Sequence, residues 1–316
     1  MNAKEIVAKK CGLEPGHSMC AGCGVPIIVK QILSSVDNLV VANATGCLEV
    51  ATTAYPYSSW KVPWIHNAFE NAAATISGAE AAYQVFRRKG KIKKKINFLA
   101  IGGDGGFFDI GLQSLSGALE RGHDCVYIVY DNEAYQNTGS QRSSATPLGA
   151  SSTTTPAGKV SYGKEVPRKD LAKIAIAHNI PYVAQMALHN YADLTRKVKT
   201  AFENTPAVLV VLQPCPTNWK FDSGRTVELS KLAAETCYWP LYEYNRGVYK
   251  INYVPKRKAP VEEFLRMQGR FRHLLTEQNR HVVEKIQEEV DKNWENLQKL
   301  EEFTRVSTSE AIEEIN

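Results

Sequence analysis

The chain has 316 residues, 44% apolar and 22% charged, with a formal net charge of +5. That length excludes a small disulfide scaffold, and the composition is that of an ordinary globular protein rather than a disordered one. No apolar run approaches the ~20 residues of a membrane-spanning helix, and Met1–Glu5 opens no signal-like apolar stretch, so a cytoplasmic protein without a membrane partner is expected. Seven basic residues between Arg87 and Lys95 carry much of the positive charge. They lie between a helix-like segment and a strand-like one, which reads as a solvated connection; the alternative is attraction of an acidic protein partner. Nucleic-acid binding is not expected, because no aromatic residues interleave with the cluster.

In chain order, residues 39–44 read as a short buried strand and 69–86 as an Ala-rich helix. Residues 96–101 form an apolar run that ends in Gly102-Gly103-Asp104-Gly105-Gly106, a strand entering a tight turn. A helix over 109–121 follows, closed by Gly122, then a strand over 125–130. The stretch 138–168 is rich in Ser, Thr, Gly and Pro, and a loop of that length in a compact domain is functional or disordered. A helix over 169–178, a strand over 180–185, a helix over 191–203 and a strand over 207–212 complete the alternation. Such alternation predicts a doubly wound, mostly parallel α/β sheet occupying residues 1–216. Residues 217–316 are expected to form an irregular and then helical extension. Its apolar stripe, Val283, Ile286, Val290, Trp294, Leu297 and Leu300, recurs at steps of three and four. The stripe packs either on the chain's own core or against a neighbouring subunit.

Two groups of residues carry chemistry. Asp104 directly follows one strand, and Asn132 follows the next, 28 positions later. A strand–helix–strand unit sets both at carboxyl ends of neighbouring parallel strands, where open α/β sheets bind ligands. A hard anionic oxygen and a neutral one suit Mg²⁺, which takes its remaining ligands from phosphates and water. Gly103, Gly105 and Gly106 allow backbone N–H groups close to a diphosphate. The second group is cysteine. Cys20 and Cys23 form a C-x-x-C, Cys47 follows a strand, and Cys215 follows another. Strand-end loops can bring the four together, to hold an iron–sulfur cubane or a zinc ion, and a redox dithiol is the remaining reading of the C-x-x-C. Cys11, Cys125 and Cys237 have no motif, and burial is expected for them.

The Gly103-Asp104-Gly105 and Asn132 pair resembles the diphosphate-binding motif of thiamine-diphosphate enzymes. Further blocks extend the resemblance: Gly16–Gly24, Thr45–Val50, Tyr55-Pro56-Tyr57, Val62–Asn71, Tyr135–Gln141 and Gln268–His273. Together, over roughly residues 14–275, they resemble the β subunit of 2-oxoacid:ferredoxin oxidoreductases, most closely the pyruvate type. The resemblance implies thiamine diphosphate and a Mg²⁺ held by Asp104, Asn132 and the Ala134 carbonyl. Tyr135 and Gln136 would adjoin the cofactor, and Asn137 would stand near the reacting substrate carbon. It also implies one [4Fe-4S] cluster on Cys20, Cys23, Cys47 and Cys215, with Cys47 lining the cofactor as well. The implied reaction is oxidative decarboxylation of pyruvate to acetyl-CoA and CO₂, with electrons leaving singly toward ferredoxin. Oxalate is the rival substrate, and 2-oxoglutarate or branched-chain acids fit the Tyr55–Tyr57 and Pro63-Trp64 blocks less well. An α subunit would supply the glutamate that faces the aminopyrimidine ring, with an internal Glu49 or Glu70 as substitute, and γ/δ-type chains would carry further clusters. His17 and His66 fall in matching blocks and read as packed, hydrogen-bonded histidines.

Overall fold

A computed structural model describes residues 11–313, with side chains described through residue 306; the Met1–Glu5 opening lies outside the described residues. The elements follow in the order α1 (Val25–Ser35), β1 (Leu39–Ala44), α2 (Cys47–Thr52), β2 (Trp64–Asn67), α3 (Ala72–Arg88), β3 (Asn97–Gly103), α4 (Leu112–Glu120) and β4 (Cys125–Asp131). Next come α5 (Leu171–Ile176), β5 (Tyr182–Ala187), α6 (Tyr191–Glu203), β6 (Ala207–Leu212), α7 (Pro216–Trp219) and α8 (Thr226–Glu235). The chain then adds β7 (Tyr242–Asn245), β8 (Val248–Ile251), α9 (Val261–Arg266) and the long α10 (Arg280–Glu313).

One eight-stranded sheet runs in the order β2-β1-β3-β4-β6-β5-β7-β8. The first six strands are parallel, and β7 and β8 join antiparallel. Strand β4 is buried at every position, as expected for a parallel sheet covered on both faces. Its side chains alternate. Val126, Ile128 and Tyr130 meet α1 and α6, whereas Cys125, Tyr127 and Val129 meet α3, α4 and the C-terminal helices.

The expected strands and helices before residue 213 are present within a few residues of their predicted bounds, and α1, α2 and β2 are additions. In β2, Ile65 and His66 are exposed, so no alternation announces it. The sequence also shows no strand after residue 216, yet β7 and β8 form a hairpin there. Its turn, Arg246 (φ 48) and Gly247 (φ 93), has the two left-handed positions of a type I′ connection. The exposed edge of β8 is covered by α10: Tyr249 N–H donates to Thr304 Oγ1 (3.1 Å) and Ile251 N–H to Glu301 Oε1 (2.7 Å). The apolar stripe of α10 resolves the same way. Val283, Ile286, Val290, Trp294 and Leu297 are buried in the chain's own core, and only Leu300 is exposed at the margin. The reading of that stripe as a subunit clasp is therefore corrected: the sheet needs it as a cover. The basic cluster between Arg87 and Lys95 is exposed throughout, a solvated connection as expected. Among the described residues, no helix is long and apolar enough to cross a membrane.

Candidate active site

The sheet order reverses between β1 and β3, and the carboxyl ends of β1, β3, β4 and β6 lie side by side. Open α/β sheets bind ligands at such a switch point. Cys47 follows β1, Asp104 follows β3, Asn132 follows β4 and Cys215 follows β6. A shallow cleft on this edge is lined by Thr45, Gly46, Cys47, Phe69, Gly103, Gly105, Gly106, Tyr130, Asn132, Ala134, Tyr135, Gln136, Asn137 and Thr138. It therefore holds most of the residues that the motif singles out. Asn137 is exposed at its mouth. Neither Glu49 nor Glu70 lines it.

Asp104 is fully buried. Burial, and then the negative charge of Asp131, push its carboxyl well above the usual carboxylate range, while a hydrogen bond from Ser143 opposes that. The Ser143 hydroxyl donates to Asp104 Oδ2 at 2.5 Å. One atom of the Asn132 amide lies 3.0 Å from Asp104 Oδ1 and 3.0 Å from the Ala134 carbonyl oxygen. With oxygen in that place, three oxygens converge without a donor among them. Cis oxygens on an octahedron with metal–oxygen lengths of 2.0–2.1 Å stand about 2.9 Å apart. Both spacings from the Asn132 atom are those of cis ligands on a Mg²⁺ coordination sphere, so the residues present fit the ion.

The glycine positions are steric requirements. A Cβ on Gly105 would stand 2.2 Å from Tyr135 Cε1, and one on Gly106 would stand 3.2 Å from the Phe69 carbonyl oxygen. Gly105 opens a π-helical turn, Gly105–Asp109, where the sequence suggests only a tight turn. Such turns are frequent at functional sites.

Beneath the Asn132 loop lies a buried ionic layer that the sequence reading missed. Glu133 is fully buried and left-handed (φ 64). Its carboxylate meets Arg168 Nη1 (2.7 Å), Arg270 Nη2 (2.5 Å) and the Tyr238 hydroxyl (2.8 Å). Arg168 also pairs with Asp131. Arg168 closes the Ser/Thr-rich segment and Arg270 belongs to Gln268–His273, so two remote stretches grip one loop. The only available signal was the Gln268–His273 block, whose role the sequence does not disclose. The segment 138–168 is not a loose flap: Ser143 reaches Asp104, Thr146 Oγ1 donates to the Glu133 carbonyl (2.6 Å), and buried Lys164 donates to the Ser144 and Pro167 carbonyls (3.1 and 3.2 Å).

All seven cysteines are free thiols. Cys125 and Cys237 are buried as expected, and Cys11 is half-buried. The C-x-x-C turn is fastened to the start of α8. Thr226 Oγ1 donates to the Gly22 carbonyl (2.6 Å), and Gly22 adopts φ +74 where a Cβ would lie 2.2 Å from the Ser223 oxygen. This brings Cys20 and Cys23 toward Cys215. The four candidate thiols lie within electrostatic reach of one another. Burial, reinforced by the neighbouring sulfurs, pushes Cys23 and Cys47 up to about 12, so bare thiols hold their protons and a cation must displace them. Among the described residues no three His, Cys, Asp or Glu side chains close around a single ion. His66 bonds Thr45 Oγ1 (2.8 Å) as expected but is exposed rather than packed, whereas buried Nδ1 of His17 has no hydrogen-bond partner among the described residues, contrary to expectation.

A family model described as "Thiamine pyrophosphate enzyme, C-terminal TPP binding domain" matches residues 44–211. A protein named pyruvate synthase subunit PorB, from Thermotoga maritima, is 50% identical over 311 residues, covering 96% of each chain. This chain belongs to the 2-oxoacid:ferredoxin oxidoreductase β-subunit family. A ketoisovalerate oxidoreductase subunit VorB from Pyrococcus abyssi is 42% identical, covering 91% of this chain and 92% of its own. The fold is that of 2-oxoglutarate:ferredoxin oxidoreductase from Magnetococcus marinus (TM-score 0.54, 20% identity, 70% of this chain and 79% of that one). The chain is therefore an oxidoreductase subunit built on a thiamine diphosphate-binding domain, as the motif blocks lead one to expect.

Proposed function

We propose that this chain supplies the diphosphate-and-Mg²⁺ wall of a thiamine diphosphate site, together with a neighbouring [4Fe-4S] site, in a pyruvate:ferredoxin oxidoreductase. The observation that carries this reading is the shared sheet edge: the oxygens of Asp104, Asn132 and Ala134 and the four thiols of Cys20, Cys23, Cys47 and Cys215 all stand on loops or helix starts at one end of the strands. Bound thiamine diphosphate supplies a carbon nucleophile and an electron sink, and a cluster supplies a one-electron acceptor. The chain's own residues bind and orient. Asp104 and Asn132 hold the metal, with Ser143 fixing the Asp104 carboxylate. Gly103, Gly105 and Gly106 admit the diphosphate to the backbone, Tyr135 and Gln136 wall the cofactor, and Asn137 meets the substrate at the mouth. A cubane spreads four thiolates over a cluster, and the four candidate thiols lie within electrostatic reach of one another.

The cleft encloses only about 20 Å³, roughly one water-sized space, so the cofactor's other wall belongs to a partner. That partner is an α subunit bearing the aminopyrimidine glutamate, with γ/δ-type chains leading on to ferredoxin. The pyruvate assignment rests on the 50% identical PorB relative. The test is to purify the complex anaerobically, measure iron, sulfide and thiamine diphosphate, and assay pyruvate, ketoisovalerate, 2-oxoglutarate and oxalate with ferredoxin as acceptor. Iron and sulfide in cubane proportion with pyruvate preferred supports the reading. Stoichiometric zinc without iron overturns the cluster, and preference for another acid overturns the substrate.

A further inference from the structure

We propose that Gln213 is a positioning residue that fixes which end of the Asn132 amide faces the metal. Asn132 is symmetric in shape but not in chemistry: turned one way it offers Asp104 Oδ1 and the Ala134 carbonyl an N–H donor, turned the other way it offers a metal its oxygen. The inner face takes either end of the amide: without an ion an N–H there can donate to both oxygens, and with an ion an oxygen there can ligate it. The outer face decides between them. There the second amide atom lies 3.2 Å from Gln213 Oε1, and Gln213 has its own constraint. Its Nε2 stands 2.6 Å from the Pro214 carbonyl oxygen, which can only accept. Turning Gln213 would set two oxygens against each other at that distance. Nitrogen therefore stays toward Pro214, oxygen toward Asn132, and the Asn132 NH₂ must point outward to meet it. The amide oxygen is left facing Asp104 and Ala134, ready for a cation before one arrives.

Burial enforces the chain of assignments. Gln213 is 1% exposed and Asn132 is 4% exposed, so neither amide can exchange its protein partner for water. The backbones are pinned as well. Gln213 N–H donates to the Asp131 carbonyl (2.8 Å), and the Asn132 carbonyl accepts from Trp219 Nε1 and Gln136 Nε2 (both 3.0 Å). Outer-shell partners of this kind orient metal ligands, and losing one weakens metal binding. Gln213 lies 81 positions from Asn132 and in no metal-binding motif, so only the fold brings the two together.

The inference rests on Asp104, Asn132 and Ala134 being the Mg²⁺ ligands. The experiment measures the Mg²⁺ dependence of thiamine diphosphate binding to the purified complex by calorimetry, for the wild type, Gln213→Met, Gln213→Leu, Gln213→Glu and Asp104→Ala. Both apolar variants free the Asn132 amide to turn its nitrogen inward, and about 10- to 100-fold more Mg²⁺ is then needed. Gln213→Glu, kept protonated by its burial, donates its O–H to the Pro214 carbonyl, keeps an oxygen toward Asn132 and restores most of the wild-type dependence, which a merely space-filling role would not predict. Wild-type Mg²⁺ dependence in both apolar variants, or a Gln213→Glu variant as impaired as they are, overturns the inference. A wild-type response in Asp104→Ala overturns the underlying ligand assignment instead, whatever Gln213 does.

Discussion

Arg270→Met tests whether the buried ionic layer holds the metal loop. Arg270 is 1% exposed and Glu133 is fully buried. Removing one partner of such a pair costs about 3–5 kcal/mol. Glu133 keeps Arg168 at 2.7 Å and Tyr238 at 2.8 Å, which places the loss near the lower end, about 3 kcal/mol. The Arg270 guanidinium also sits 3.9 Å from the Trp219 ring centre, and losing that contact adds about 1 kcal/mol. Methionine refills most of the volume, and one Arg270 nitrogen, Nη1, has no hydrogen-bond partner among the described residues; together these offset part of the total. The net expectation is about 3 kcal/mol, a fall in the chain's melting temperature of roughly 4–5 °C. The effect is also local. A left-handed Glu133 costs about 1–2 kcal/mol relative to ordinary backbone, and its carboxylate contacts hold it there. Relaxation of that residue moves the Ala134 carbonyl, so Mg²⁺ binding weakens together with stability. The double variant Glu133→Gln with Arg270→Met should lose less than the sum of the single variants, by about 1–2 kcal/mol. Scanning calorimetry of the complexes provides the numbers. A loss below about 1 kcal/mol, or strict additivity in the double variant, refutes the ion pair as the brace of the loop.

Three further outcomes follow from the same geometry. Gly105→Ala drives its methyl into the Tyr135 ring, which must swing away, so thiamine diphosphate affinity of the complex falls at least tenfold while the melting temperature changes little; unchanged affinity would show that the ring is free to yield. The isolated chain, reconstituted with iron, sulfide, Mg²⁺ and thiamine diphosphate, turns over no 2-oxoacid until the α subunit is added, and turnover without it would mean an internal glutamate. Burial lowers the Lys197 ammonium to about 8, so between that value and the ordinary lysine value the unfolded chain binds more protons. The wild type should therefore gain stability relative to Lys197→Met as pH rises through that window, by about 3 kcal/mol in all, and a flat difference in denaturation midpoints across it would contradict a buried lysine.

The parallel sheet was legible because its strands are apolar runs bounded by glycine and charge. The β4 run Cys125–Tyr130 and the β6 run Ala207–Leu212 need no partner to be recognised. Strand β2 was hidden because it is four residues long and half exposed, and β7 because its Tyr and Asn residues alternate no more clearly than a loop. The same limit applies at the site. Asp104 and Asn132 announce themselves by following strands at a set distance. Ser143, Glu133, Arg168, Arg270 and Gln213 act through contacts that span tens of residues, and a sequence reading that starts from local pattern has no means of pairing them. The stripe on α10 shows the converse: periodicity identified the apolar face, but only the hairpin β7–β8 and the sheet beneath reveal what that face covers.

Mg²⁺-dependent thiamine diphosphate binding to the complex carrying Asp104→Ala is the most direct test of the central claim. Asp104 is the only anionic protein group placed among the three converging oxygens, and Mg²⁺ is poorly held by neutral oxygens alone. Calorimetric titration should show no saturable Mg²⁺-dependent binding in the variant, while melting and subunit assembly stay as in the wild type. Thiamine diphosphate binding with undiminished affinity and unchanged Mg²⁺ dependence would contradict it and remove Asp104 from the site.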